Sequence, residues 1–351
     1  MEKLGVHSWI VCAKYNASYL KPCEIIETGK KNGSIIDGFM ETWIVAKLIK
    51  DKKPSIVFQV NTRAFIFLTA IVWKLKHLFI KSSQKKYIPF FMLMVDWDGQ
   101  IDQRHPIRSR LFKFLVMINS HFLDLIVLNS SCAYNSAFKI PFINRNKLIY
   151  INYGYPQDIY SLKKYEETSR EKIILCVARI TPLKGQELLI DAFVELLQVF
   201  KDWKLIIVGP VEDALYYNNL KNISKNYLNK NIFFQISVEE ERLEKLYEKA
   251  SIFCLPSYRE SVGMVRIEAM SKGLPVLTSE AGCGKDFENF GAMLFKTGNK
   301  EDLKNKLKLL MENEELRKKL ADESIKNINS YEDYAKKILM QYKIFEKRIK
   351  K

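Results

Sequence analysis

Histidine is scarce in this chain. The four present, His7, His77, His105 and His121, show no metal-ligand spacing. His7 and His105 could reach a cleft, but a structural role is the expectation for each. The six cysteines (Cys12, Cys23, Cys132, Cys176, Cys254 and Cys283) are scattered and form no C-x-x-C pair. Several lie in apolar, strand-like runs and read as small buried hydrophobes in a reducing compartment. Long hydrophobic runs are missing too. Ala64–Trp73 is the most hydrophobic stretch, and Lys74, Lys76 and His77 end it well short of a membrane span. No signal peptide opens the chain. The expectation is a soluble or peripheral protein of the cytoplasm. No internal repeat or low-complexity tract stands out.

Negative charge is also in short supply. The formal net charge is +16, and residues 1–157 hold 22 Lys/Arg against 10 Asp/Glu. Basicity on that scale suggests an anionic partner: nucleic acid, an anionic membrane face or a phosphorylated lipid. No nucleic-acid motif or aromatic-basic platform accompanies it, so no nucleic-acid partner is expected. A generic solvated surface in a lysine-rich protein is the plain alternative.

What the chain does have is α/β grammar. Its 351 residues suffice for two domains. From about residue 170, apolar runs short enough for buried strands (Ile173–Val177, Leu205–Val208, Ile232–Ile236, Ile252–Leu255, Leu274–Thr278) alternate with helical periodicity. Ser237 and Glu240 read as a capping box for one of these helices. The first half repeats the pattern less cleanly, with strands at Ile56–Val60, Phe90–Val95, Leu125–Leu128 and Leu148–Ile151 and an apolar helix over 64–80. Two doubly wound, Rossmann-like α/β domains with parallel sheets are therefore expected, facing each other across a cleft. Their spans are 1–160 and 161–330. The polar stretch near 155–170, after Gly154 and Pro156, would link them. Residues 331–351, amphipathic and basic, form a last helix.

The chemistry concentrates in PSYRESVGMVRIEAMSKGLPV, residues 256–276. Two carboxylates, Glu260 and Glu268, stand eight positions apart. Between them Ser261, Val262, Gly263, Met264 and Val265 open a helix. First-turn amides have no intrahelical partner, and the helix dipole adds positive potential, so such a terminus suits a phosphate. Gly263 lets a ligand approach without a Cβ in the way. A diphosphate could rest on the amides while one acid reaches to each side of it. A second segment, ILCVARITPLKG (174–185), places Arg179 and Lys184 just past a strand, where two cations can neutralise a diphosphate.

The first segment resembles the E-x7-E motif of retaining glycosyltransferases with the GT-B fold, in particular glycosyltransferase family 4, including the flanking PS and EAM-x-x-G-x-PV. The second is similar to that family's GR-x-x-x-x-KG loop, with Ala178 in place of a glycine. LIYINYGYPQDIY (148–160) is similar to its I-P-N-G-V-D segment, with Tyr153 inserted. The resemblance implies that Arg179 and Lys184 bind the donor's phosphates, Glu260 the donor sugar, and Glu268 the ribose. Ser261, Gly263, Met264 and Val265 would supply the amides. It also implies a last helix that crosses back to the first domain. SEAGCGKDFEN (279–289) takes the place of a glycine-rich loop but departs from its G-G-x-x-E pattern. In the first domain no G-G pair follows the opening LGVHSWIVCAKYN, and Gly29 and Gly33 could form an irregular substitute. Asp96 stands where the family has a histidine, with Asp98 two residues on. Either could bind the reacting sugar or orient the acceptor. Equally, Asp96-Trp97-Asp98-Gly99 could be an Asx turn.

The expected activity is transfer of a hexose from a nucleoside-diphosphate sugar (UDP- or GDP-sugar) to a glycan or lipid-linked acceptor, with retention. The resemblance implies no metal or other cofactor. An anionic membrane surface is the further partner that the basic first half suggests. A nucleotide-sugar epimerase of the same fold is the alternative, and a basic nucleic-acid-binding protein a more distant one.

Overall fold

The computed structural model describes residues 9–12, 24–27, 45–60, 70–71, 73–75, 89–95, 106–152, 154–155, 162–167, 170–260 and 263–349. The chain divides into two compact units, Met1–Asn152 with Glu332–Lys351, and Tyr153–Tyr331.

In the first unit β1 (Trp9–Cys12) pairs in parallel with β2 (Glu24–Glu27). A four-stranded parallel sheet follows the order β3 (Ile56–Val60), β4 (Phe90–Val95), β5 (Leu125–Leu128), β6 (Leu148–Tyr150). Every residue of β5 is buried, as a parallel strand covered on both faces requires. One face packs Leu93, Ile126 and Leu128 against Ala70, Trp73, Val116 and Ala137. Within the expected helix at 64–80, residues 70–71 and 73–75 are helical, and Ala70 and Trp73 are core. Lys74 is tied to Asp124 at 2.6 Å. The other sheet face is closed by the last helix, Tyr331–Ile349. Tyr334, Ile338, Tyr342 and Phe345 form its inner stripe against Phe90, Met92 and Val127. The Phe345 ring centroid lies 4.3 Å from that of Phe90.

In the second unit β7 (Gly154–Tyr155) pairs with β14 (Asn329–Ser330), beside the two points where the chain passes between units. A Cβ on Gly154 would lie 2.3 Å from the Ser330 carbonyl oxygen, so only glycine allows this pairing. The main sheet contains β8 (Ile173–Val177), β9 (Lys204–Val208), β10 (Ile232–Gln235), β11 (Ile252–Leu255), β12 (Val276–Ser279) and β13 (Met293–Phe295). All its pairs are parallel, in the order β10-β9-β8-β11-β12-β13. Alternate residues of β8 feed opposite cores. Ile174 and Cys176 meet Leu189, Phe193 and Leu307, whereas Leu175 and Val177 share a core with Tyr247, Ala269 and Met270.

The expected capping box is absent. The helix Glu240–Lys249 begins at Glu240, its N-cap is Glu239, and no side chain caps it. A capping box needs its acid at the third helical position. Here Glu240 occupies the first, which leaves Ser237 in the preceding loop.

One side chain fastens this helix to the sheet's next crossover. Arg170 donates from Nη1 to the Tyr247, Glu248 and Ala250 carbonyls and from Nη2 to those of Lys272 and Gly273, at 2.6–3.1 Å. These are orphan acceptors at the ends of the helices Glu240–Lys249 and Met264–Ser271, where the helix dipoles favour a cation. Burial pulls the Arg170 pKa down to about 10, with Tyr165 and Glu248 opposing the shift. Arg170→Met should leave several of these carbonyls without a partner and destabilise the protein by about 3 kcal/mol or more. Urea unfolding measures this, and an unchanged midpoint would show that water replaces the guanidinium without cost.

Candidate functional site

The order of the six-stranded sheet reverses between β8 and β11, and open α/β sheets bind ligands beyond the carboxyl ends of strands at such a point. The loops that leave these two strands are bound to each other. The Leu183 carbonyl accepts from the Tyr258 and Arg259 amides at 2.9 and 3.3 Å. Gly185, at φ 64°, passes so close to Pro256 that a Cβ would sit 2.4 Å from its carbonyl oxygen. Lys184 ends the single 3-10 turn Pro182–Lys184, and its Nζ lies 2.7 Å from Glu260 Oε2. Ser257 Oγ donates to the same oxygen at 3.2 Å. The end of β12 locks this arrangement, because Ser279 Oγ donates to the Ser257 carbonyl at 2.6 Å.

Beyond Glu260 the helix Met264–Ser271 starts at Gly263, in the left-handed region at φ 62° and with no side-chain cap. Its first-turn amides, those of Met264 and Val265, therefore lack intrahelical partners. Ser261 lies outside the described residues, as do Asp96 and Asp98. Glu268, one turn into the helix, accepts from Tyr247 Oη at 3.0 Å. Burial pushes the Glu268 carboxyl above the usual carboxylate range, Tyr247 opposes that, and Glu240 adds to it. Arg179 is oriented differently. Its Nη1 pairs with Glu212 Oε1 at 2.7 Å, both groups being about half exposed, and its carbonyl accepts from the buried Gln186.

The structure thus brings Lys184, Glu260 and Gly263 into direct proximity and places Glu268 on the same short helix. It does not bring the Arg179 guanidinium onto the Lys184–Glu260 pair. Chemically, a cation, a carboxylate and amides without intrahelical partners around one glycine suit an anionic ligand that also carries hydroxyl groups.

Several further residues shape the site. Gly282 lies under Glu260, where a Cβ would fall 1.6 Å from the Glu260 carbonyl oxygen. Tyr247 reads in sequence as one more apolar-face residue, and its phenol is what reaches Glu268. Arg266 is fully buried, with its guanidinium 4.3 Å from the Phe287 ring centroid. A signal for it exists. Arg266 and Met270 stand one turn apart among buried neighbours, and a charge on that face reports a partner rather than solvent.

Residues 160–327 match the family Glycosyl transferases group 1. Over a wider span the chain is similar to the N,N'-diacetylbacillosaminyl-diphospho-undecaprenol alpha-1,3-N-acetylgalactosaminyltransferase of Campylobacter jejuni, 26% identical over 77% of each chain. It spans only about half the length of other curated relatives it matches, uncharacterized glycosyltransferases of Methanocaldococcus jannaschii and Haemophilus influenzae (48% and 43% of their residues). Among solved structures it is similar to a glycosyltransferase of Rickettsia africae, at a TM-score of 0.74 and 18% identity, covering 97% of this chain and 91% of that one. It is also similar to HepE of Anabaena, solved with UDP and glucose, at a TM-score of 0.67 and 15% identity, covering 91% and 86%. These likenesses establish the GT-B fold. Within it, residues 160–327 are the part that matches Glycosyl transferases group 1.

Proposed function

We propose that this protein is a retaining glycosyltransferase that moves a hexose from a nucleoside-diphosphate sugar to a glycan or lipid-linked acceptor. The observation that carries the reading is the largely buried Lys184–Glu260 pair at the sheet's reversal point, next to a helix start whose first-turn amides lack intrahelical partners. UDP in the related fold of HepE supports a nucleotide donor. The lipid-diphosphate substrate in the name of the C. jejuni relative supports an acceptor of that class.

In this reading the donor's diphosphate rests on the Met264 and Val265 amides and on Lys184, with Arg179 turning from Glu212 to join them. Ser261 belongs to the same cradle. Stabilisation of the leaving diphosphate by fixed dipoles and cations takes the place of a metal ion. Glu260 accepts from hydroxyls of the donor sugar, and Glu268, steadied by Tyr247, accepts from the ribose. The bond from the anomeric carbon to the diphosphate oxygen breaks through an oxocarbenium-like state. The acceptor hydroxyl attacks from the same face and gives its proton to a departing phosphate oxygen, which preserves the anomeric configuration. Asp96 or Asp98 would bind the reacting sugar or orient the acceptor.

A lipid-linked acceptor calls for contact with a membrane, and the first unit has a surface suited to one. Residues 106–150 contain six Lys/Arg and a single acid, Asp124, which is already paired with Lys74. Phe142 is 86% exposed and held at φ 59°, in a loop flanked by the exposed Lys139 and Arg145. Phe114 and Phe138 are exposed as well. Aromatic tips among cations suit an anionic lipid interface. No helix among the described residues is long and apolar enough to cross a membrane.

Glu260→Gln should depress turnover far more than nucleotide affinity, and Glu268→Ala should mainly weaken nucleotide binding, by about 1.5–3 kcal/mol. Steady-state kinetics and calorimetric titration across a panel of sugar nucleotides separate the two effects. Wild-type kinetics in both variants would remove the donor-site assignment.

Lys184→Ala should impair binding of a nucleoside diphosphate while leaving that of the bare nucleoside nearly unchanged, since the ammonium acts on phosphate charge. Equal losses for both ligands would point to a folding defect.

The protein should sediment with anionic liposomes, ignore neutral ones and release as salt rises. Each basic residue near the surface contributes roughly 1 kcal/mol under low-salt conditions. Phe142→Ser combined with Lys139→Glu should weaken this binding without changing donor affinity. Failure to bind anionic liposomes at low salt would make a soluble acceptor the better reading.

A further inference from the structure

Glu260 and Lys184 neutralise each other in the second unit, with side chains only 10% and 13% exposed. In the function proposed above, Lys184 has another duty, to the phosphates of the ligand. An ammonium drawn onto phosphate no longer compensates Glu260, and a buried carboxylate stripped of its partner is strongly unfavourable. The site therefore needs a second cation within reach.

Arg266 fits that need. Its side chain is inaccessible to solvent, and its Nε and Nη2 make no hydrogen bond. A Cβ placed on Gly263 would lie 2.7 Å from Arg266 Nη2, 2.8 Å from its Nε and 3.0 Å from Glu260 Cγ. The unpaired edge of the guanidinium and the Glu260 side chain thus converge on one point, and rotation of the glutamate brings its carboxylate to that edge. Only a glycine at 263 leaves this room. The remaining nitrogen, Nη1, reaches Thr278 Oγ1 at 3.4 Å, a long contact that does not satisfy a buried charge. The charged or titratable groups that face Arg266 are Glu260, Cys283 and Asp286. Burial pushes the Cys283 thiol up to about 12, so it is neutral at pH 7. Burial also lowers the Arg266 pKa, and Glu260 is the foremost charge opposing that.

We propose that Arg266 is the alternate counter-charge of Glu260. When an anionic ligand draws Lys184 away, the Glu260 carboxylate transfers to the free Nε–H and Nη2–H edge of Arg266. Glu260 thus stays compensated and correctly aimed while Lys184 serves the ligand. Arg266 acts through Glu260 and is a positioning residue. The identity of the ligand rests on the proposed function, but the exchange is a property of three side chains and can be tested without any ligand.

The test is a double-mutant cycle in thermal unfolding at neutral pH, with Lys184→Met standing for withdrawal of the ammonium. Lys184→Met alone should lower the melting temperature only slightly, because Arg266 takes over Glu260. Lys184→Met with Arg266→Met should fall more than about 4 °C beyond the sum of the two single variants. Adding Glu260→Gln should recover most of that excess, since no unpaired charge then remains. A purely structural role for Arg266 would give additive losses and no recovery, and that result overturns the proposal. If Arg266→Met does not fold, Arg266→Lys takes its place. It keeps the charge without the two-pronged edge, so a smaller coupling of the same sign is expected, and additivity overturns the proposal equally. Because no ligand enters these measurements, failure of the donor-site reading leaves them unaffected.

Discussion

The candidate site depends on how closely three loops pass one another at the carboxyl ends of β8, β11 and β12. Gly185 lies against the Pro256 carbonyl, Gly282 against that of Glu260, and Gly284 against that of Ser279. A side chain at Gly185 or Gly282 would push two of these loops apart, and one at Gly284 would strike the chain of its own loop. Gly185 and Gly282 also adopt left-handed backbone, which a side chain would strain. Closeness of backbone lets a lysine from one loop and a glutamate from the next meet at 2.7 Å with little solvent between them. Glycine is costly in chain entropy, and here that cost secures an arrangement of charges.

Charge burial is the second theme of this unit. Arg170, Lys272 and Arg317 are cations held well inside the second unit, and each meets acceptors. Arg170 binds five carbonyls, Lys272 pairs with Glu244, and Arg317 binds Tyr165 and the end of the helix Lys300–Glu312. Arg170 and Arg317 therefore act as helix-end clamps, supplying donors that the last turns lack. Arg266 breaks the pattern. Among the described residues it is the most buried arginine side chain, and two of its nitrogens have no hydrogen-bond partner. An unsatisfied buried donor costs stability, and this one lies beside the Glu260 side chain.

The first unit obeys a different economy. Its sheet completes its core only with the last helix, whose inner stripe covers Phe90, Met92 and Val127. Residues some two hundred positions apart thus share one core, and Tyr334 donates to Asn129 across that distance at 2.8 Å. The unit's outer surface carries cations and exposed phenylalanines, with almost no acid to balance them between residues 106 and 150.

Nine of the strands and the two main parallel sheets were legible in the chain itself, whereas β1, β2, β7, β13 and β14 were not. Runs such as Ile173–Val177 and Ile252–Leu255 are apolar throughout because a parallel strand is buried on both faces, so composition alone announces them. The spacing of Glu260, Gly263 and Glu268 was legible for a similar reason, since a loop, a turn and a short helix are local structures. The start of the helix Glu240–Lys249 was not, because the chain offers several polar residues there and packing selects among them. Long-range partners were equally hidden. Nothing near Arg179 in sequence announces Glu212, and nothing near Arg266 announces Phe287. Local propensity and periodicity wrote the strands and the motif. Which charges meet, and which buried donor stays unpaired, was settled only when the sheet brought three separate loops to the same end, because electrostatic pairing depends on distance in space and not along the chain.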